Sequence, residues 1–136
     1  MTIVDTSVWI DFFRGADSRQ VERLVGLIES DEGVGITDVI LAELLQGMTS
    51  VAAATSLDRQ MSHFDVFELG SLDDFRRAAY LYRQARRRGQ TIRRTLDCLI
   101  ASVCIRESLP ILHSDSDFDR LAVSTDLRIV MPLSGS

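Results

Sequence analysis

The stretch Leu96-Asp97-Cys98-Leu99-Ile100-Ala101-Ser102-Val103-Cys104-Ile105 decides how the rest of the chain is read. At 1.5 Å per residue it makes about three helical turns. It is apolar nearly all the way round, which marks a buried helix rather than a surface one. One carboxylate, Asp97, stands at its head. An ionised carboxylate is very costly to bury unless it is paired or bound to a metal. Three other acids repeat the pattern. Asp5 follows Ile3-Val4, Glu43 interrupts Val39 to Leu45, and Asp115 follows Pro110-Ile111-Leu112. Acids in apolar settings spread over the whole chain point to one buried acidic cluster, with the remaining sequence as its scaffold.

Outward from that helix, short β-branched runs alternate with helical periodicity. Thr2 to Val8 reads as a first strand and Trp9 to Phe13 as a short helical turn that stops near Gly15. Asp17 or Ser18 caps a helix with Val21, Leu24, Val25 and Ile28 at helical spacing, closed by Gly33. Val34 to Ile36 is a strand, Thr37 or Asp38 caps a helix over Val39 to Leu45, and Ser50 to Phe64 is a further helix. Asp65 to Leu69 is a strand. Ser71 caps a long helix to about Arg88, with Asp73 and Asp74 in the first turn, where the helix dipole favours them. Its apolar residues Phe75, Ala78, Ala79, Tyr82 and Ala85 step by three and four. Gly89 to Arg94 is a loop, Thr95 caps the Asp97 helix, Pro110 to Leu112 is a strand, Asp117 to Ala122 a short helix and Leu127 to Val130 a last strand. The alternation predicts an α/β fold, a central parallel sheet flanked by helices on both faces. Residues 1–132 are expected to form one domain and 133–136 a flexible C-terminal tail.

No run reaches the roughly 18 apolar residues of a membrane span. Met1 leads almost directly into Ile3-Val4 without a basic region and a long apolar stretch, so no signal peptide and a cytoplasmic location are expected. Cys98 and Cys104 lie on one helix with Cα atoms roughly 9 Å apart, too far for a disulfide. The net charge is −5, yet eight arginines and no acid lie between Phe75 and Leu96, and all 15 basic side chains are arginine. A guanidinium suits bidentate phosphate contact. Arg86 to Arg94 straddles the loop that enters the Asp97 helix. Genome composition accounts for the absence of lysine, but not for the clustering.

In an open parallel sheet, ligands bind outside the carboxyl ends of the strands. Asp5 and Asp115 are expected at such ends, with Glu43 and Asp97 on the helices that follow. Converging carboxylates repel one another unless a hard divalent cation, Mg²⁺ or Mn²⁺, is held between them by oxygen ligands. With two histidines and two apolar-flanked cysteines, a zinc site is not expected. Each acid also has a plainer reading: Asp5 as a turn residue, Asp97 as a first-turn helix acid, Asp115 as a helix cap. Glu43, mid-helix among leucines, is the hardest to explain so.

Asp5-Thr6-Ser7-Val8-Trp9-Ile10, Ala42-Glu43-Leu44 with Gly47, Asp97 with Leu99-Ile100-Ala101, and Ser114-Asp115-Ser116-Asp117-Phe118 together resemble the PIN domain, most of all the VapC toxins of toxin–antitoxin pairs. The resemblance runs in order over essentially the whole chain. It implies a Rossmann-like sheet and a metal-dependent endoribonuclease leaving 5′-phosphate and 3′-hydroxyl ends. It makes Asp5, Glu43, Asp97 and Asp115 the catalytic acids. Asp5, Asp97 and Asp115 are the direct metal ligands, Glu43 ligates directly or through water, and Asp117 is a fifth metal-site acid that holds a second ion or orients water. Ser7 matches a hydroxyl position near the site, and Arg86, Arg93 and Arg94 are the candidates for substrate phosphate. His113 departs from the Thr or Ser of many relatives and is read as ending its strand. The resemblance also implies a VapB-type antitoxin that blocks the acidic groove, a homodimer, and a tRNA, rRNA or mRNA substrate.

Rival readings fare worse. Receiver and haloacid-dehalogenase-like domains want a lysine, and a dinucleotide fold wants a glycine-rich turn where Thr6-Ser7-Val8-Trp9 stands. The alternative with most weight is a catalytically inactive PIN-like scaffold that binds RNA or protein.

Overall fold

A computed structural model describes residues 1–132; the expected tail, 133–136, lies outside the described residues. The elements run β1 (Thr2–Val4), α1 (Thr6–Phe13), α2 (Arg19–Glu29), β2 (Val34–Thr37), α3 (Asp38–Gln46), α4 (Val51–Met61), β3 (Asp65–Phe67), α5 (Leu72–Arg87), α6 (Thr95–Glu107), β4 (Ile111–Leu112) and α7 (Ser116–Ser124). Four helices start where a hydroxyl satisfies an orphan backbone N–H: Ser18, Thr37, Ser50 and Ser71 each accept from an amide two or three residues on.

The sheet has the order β3-β2-β1-β4 and all pairings are parallel. Every residue of β1, β2 and β4 is buried, so both faces are covered. Gly35 on β2 permits a close approach, since a Cβ there would lie 2.7 Å from Cε2 of Phe67 on β3. The chain lays β1, β2 and β3 side by side, then returns through α5 and α6 to set β4 on the other flank of β1. The order therefore reverses between β1 and β4, where Ile3 pairs with Ile111 and Val4 with Leu112. Their carboxyl ends open side by side at this switch point. The buried helix is α6, with Asp97, Cys98, Ile100, Ala101, Ser102, Val103 and Cys104 all shielded from solvent.

Several boundaries differ from the sequence-based expectation. β1 stops at Val4 rather than Val8, because Asp5 turns the chain: its carboxylate accepts from the Ser7 amide and opens α1 at Thr6. β3 ends at Phe67 because Leu69 and Gly70 give their N–H groups to the carboxylates of Asp38 and Asp74 instead of a ladder. Thr95 is the first residue of α6 rather than its cap; Arg94 holds the cap position without a side-chain capping bond. Leu127 to Val130 forms no strand, and only Ile129 bridges in parallel to Ile111, since the two-residue β4 offers little ladder to extend. α2 buries Leu24 and Leu27 rather than Val21 and Ile28. α5 buries Asp74, Ala78, Leu81 and Ala85, and leaves Phe75 47% exposed. Among the described residues, no helix is long and apolar enough to cross a membrane.

Candidate active site

Asp5 is the first residue beyond β1 and is buried. Its Oδ2 accepts from Ser7 Oγ at 2.8 Å and Ser7 N at 3.3 Å, while Ser7 Oγ accepts from Ser114 N at 3.1 Å. Ser7 thus ties the end of β1 to the loop after β4. Asp115 caps α7: its Oδ1 accepts from Asp117 N at 2.9 Å, and its own N–H donates to His113 Nδ1 at 3.1 Å. The capping geometry directs the fully buried side chain of Asp117 inward from the first turn of α7, and Asp97 enters from the first turn of α6. Asp97, Asp115 and Asp117 each bring a carboxylate oxygen within 4.8 Å of the others. Glu43 reaches the same end of the sheet from α3, held by Thr6 Oγ1 at 2.8 Å and by Arg94.

Burial sets the electrostatics. It raises the Asp5 carboxyl above the usual range against the hydrogen bonds of Ser7, and the charge of Glu43 raises it further. Asp97 is pushed up to about 8, first by burial, then by its hydrogen bond to Asp117 and by repulsion from Asp5 and Asp115. Asp117 shifts the other way. Burial pushes it up, but hydrogen bonds from Asp97, the Arg93 amide and the Arg120 and Arg93 side chains outweigh that. The two neighbouring carboxyls are therefore pushed in opposite directions.

Asp97 Oδ2 is buried and has no hydrogen-bond partner among the described residues. A buried, unsatisfied carboxylate oxygen on a residue that also brings an oxygen within 4.8 Å of two further carboxylates belongs to a donor set that a hard divalent cation would satisfy. The donors are all hard oxygens. Cys98 and Cys104 are buried thiols pushed up to about 11 and about 12, chiefly by burial, so neither offers a thiolate. His113 uses Nδ1 on the Asp115 amide and Nε2 on Asp119, 3.2 Å away. The residues present thus fit a hard cation.

A family model described as "PIN domain" matches residues 2–124. The chain belongs to the PIN-domain family. It is 37% identical over 131 residues to Ribonuclease VapC11 of Mycobacterium tuberculosis, covering 94% of this chain and 96% of the relative. VapC ribonuclease Mb1587 of Mycobacterium bovis matches to the same extent, 37% over 131 residues with 94% and 96% covered. Among solved structures, VapBC2 from Rickettsia felis bound to a DNA fragment from their promoter superposes with a TM-score of 0.73 at 18% identity, covering 95% of this chain and 96% of that one. That likeness is one of fold. PIN nucleases are in general dependent on a divalent metal.

This PIN domain brings Asp5, Glu43, Asp97, Asp115 and Asp117 to one end of the sheet, with Ser7 between them. Arg93 and Arg94 join the same place but rest on its acids. Arg93 N donates to Asp117 Oδ2 at 3.1 Å, and its guanidinium reaches Asp115 and Asp117, both at 3.4 Å. Arg86 is exposed near the end of α5 and makes no ion pair among the described residues. Two partners escaped the sequence reading. Arg120 binds Asp117 at 2.8 Å from three residues further along α7, a pairing that helical spacing makes available. Thr6 binds Glu43 across 37 residues of chain, a contact with no sequence signal.

Proposed function

We propose that this chain is the toxin of a VapBC-type toxin–antitoxin pair, a Mg²⁺- or Mn²⁺-dependent endoribonuclease acting in the cytoplasm. The observation that carries the reading is the convergence of Asp97, Asp115 and Asp117 at the switch point of the sheet, together with a buried Asp97 oxygen that has no partner among the described residues. The relatives named ribonucleases support the same activity. A divalent cation held there by Asp97, Asp115 and Asp117 would supply Lewis-acid polarisation of a phosphoryl oxygen and a more acidic water.

The chain's own residues have distinct tasks. Asp97, Asp115, Asp117 and Asp5 would hold the cation, with Glu43 as a direct or water-mediated ligand. Burial pushes Asp117 up, but hydrogen bonds from Asp97, the Arg93 amide and Arg120 outweigh it and keep Asp117 ionised beside Asp97. Ser7 fixes Asp5 relative to the Ser114 loop. Arg93, Arg94 and Arg86 bind the phosphate backbone of the RNA. The test is incubation of total cellular RNA with purified protein, with and without Mg²⁺ or Mn²⁺. Discrete metal-dependent cuts are expected; RNA left intact in both metals would overturn the reading in favour of a scaffold.

The antitoxin has a place to go. A hollow of about 560 Å³ between α1, α3 and α4 is lined by Ile10, Phe13, Leu44, Met48 and Leu57 and has Glu43 on its wall. Phe13 is 43% and Met48 39% exposed. An amphipathic antitoxin segment laid there covers apolar surface and ends beside the acids. Met48→Asp is expected to weaken binding of the co-expressed antitoxin at least roughly tenfold by isothermal titration, by burying a charge in that contact. Metal-dependent cleavage by the free variant should persist. The protein is also expected to be a homodimer, which light scattering without antitoxin would read as twice the 15.2 kDa chain.

A further inference from the structure

We infer that Arg94, assisted by Arg93, is the resident counter-ion of the acidic site, and that divalent metal displaces it onto the RNA phosphate. The inference rests on the ribonuclease reading for its second half and on the geometry for its first. Asp5, Glu43, Asp97, Asp115 and Asp117 crowd one end of the sheet, and the structure meets their charge with guanidinium groups. Partial burial works against the Arg94 charge, but its bond to Glu43 outweighs that and holds the guanidinium protonated. Arg93 lies on Asp115 and Asp117.

Arg93 differs from Arg120 in how its head is held. Arg120 grips Asp117 at 2.8 Å from its own helix. The Arg93 side-chain contacts are 3.4 Å long, at the weak limit of such bonds, whereas its backbone amide is fixed on Asp117. Both side chains are open to solvent, Arg93 at 64% and Arg94 at 46%, while their acids are 20% exposed or less. The Arg93 backbone is thus anchored while its charged head is weakly held; the Arg94 head is bonded to Glu43 but stays 46% exposed, open to an incoming phosphate. A divalent cation among the carboxylates repels a guanidinium resting on the same oxygens, so one cation excludes the other. The head released from Glu43 stays tethered at the cap of α6, within reach of an RNA phosphate brought to the metal. The arrangement couples metal loading to substrate binding: the arginine becomes available for phosphate only when the metal that cleaves it is in place.

The test titrates Mn²⁺ alone into metal-free protein, read by electron paramagnetic resonance without RNA. Arg94→Gln should bind Mn²⁺ roughly three- to tenfold more tightly than wild type, since a competing charge has gone. Arg94→Lys, which keeps the charge, should stay near wild type, and Arg59→Gln, exposed near the end of α4, should not differ from it. At saturating Mn²⁺, Arg94→Gln should raise KM for RNA about tenfold, the loss of a charge-assisted phosphate contact. Mn²⁺ binding no tighter in Arg94→Gln, or equally tightened in Arg94→Lys, would overturn the counter-ion role. An unchanged KM would overturn the transfer to phosphate. Wild-type protein that cuts no RNA in any metal would instead refute the ribonuclease reading, while the Mn²⁺ titration would still decide the first half.

Discussion

Replacing Asp97 by Asn should lower metal-dependent RNA cleavage by about 10³-fold or more and at the same time stabilise the metal-free protein at neutral pH. The loss follows from removing the central anionic ligand: a bound cation contributes several kcal/mol to the transition state, and each 1.36 kcal/mol is tenfold in rate. The gain follows from linkage. Asp97 sits at about 8 in the folded protein against 3.8 for the free side chain, so the folded state holds a proton that the unfolded state gives up. Stability from this group is fully present below about pH 4 and is lost as pH rises towards 8. Asn donates to Asp117 as the protonated carboxyl does, but has no proton to lose. Urea denaturation without metal should therefore show wild type weakening between pH 5 and 8 and Asp97→Asn holding steady. Mn²⁺ should restore the wild type and leave the variant unmoved. A variant that cleaves RNA, or is less stable than wild type at pH 8, contradicts the assignment.

The candidate acids stand out in the sequence because Asp5 and Asp115 each follow an apolar run, Asp97 heads one and Glu43 lies inside one, while Asp117 is marked only by the family resemblance. Burial cost singles such residues out whatever the fold. The layered architecture was legible from the alternation of buried strands with helices. What was not legible depended on contacts between distant parts of the chain. The length of β1 turned on whether Asp5 would cap a helix, and Val8, Trp9 and Ile10 suit a strand as well as a helix. Trp9 is core only because α1 forms, with its Nε1 on the Val4 carbonyl at 3.0 Å. The Leu127 to Val130 run has strand composition but finds a neighbour of only two residues. The arginines were legible as a positive cluster; that Arg93 and Arg94 face carboxylates rather than solvent was not, because charge counts do not show direction. Asp74 was misjudged most. Its place in the first turn of α5 explained it completely, so nothing prompted a search for a second role.

Asp74→Ala should destabilise the fold by about 2–4 kcal/mol, measured by urea denaturation at pH 7, with little effect on Mn²⁺ affinity. Asp74 is 2% exposed and gathers the Gly70 amide at 2.6 Å, Arg77 at 2.8 Å and Arg106 from α6. Ser102 Oγ, also on α6, donates to the Asp74 carbonyl at 2.8 Å and accepts from Arg77 at 3.2 Å. Truncation strands two guanidinium groups and an amide at the α5–α6 contact. Both arginine side chains are about 30% exposed and recover some hydration, which keeps the cost below that of a fully buried pair. Burial raises the Asp74 carboxyl, but these donors outweigh it and hold the group below its usual range. Its contribution is therefore present above the unfolded value of 3.8 and disappears as pH falls below it, so variant and wild type should converge in acid. Asp73 is the control: its pair with Arg76 is 76% and 71% exposed, and Asp73→Ala should change nothing measurable. Ser102 and Arg106 lie roughly 8–14 Å along α6 from Asp97, so the clamp secures the helix without touching the metal ligands. Two buried aspartates on neighbouring helices thus face opposite tests. Removing the charge at Asp97 strengthens the metal-free fold and ends the chemistry; removing it at Asp74 weakens the fold and leaves the site intact. A satisfied carboxylate belongs to the scaffold, and the one left with an orphaned oxygen belongs to the reaction.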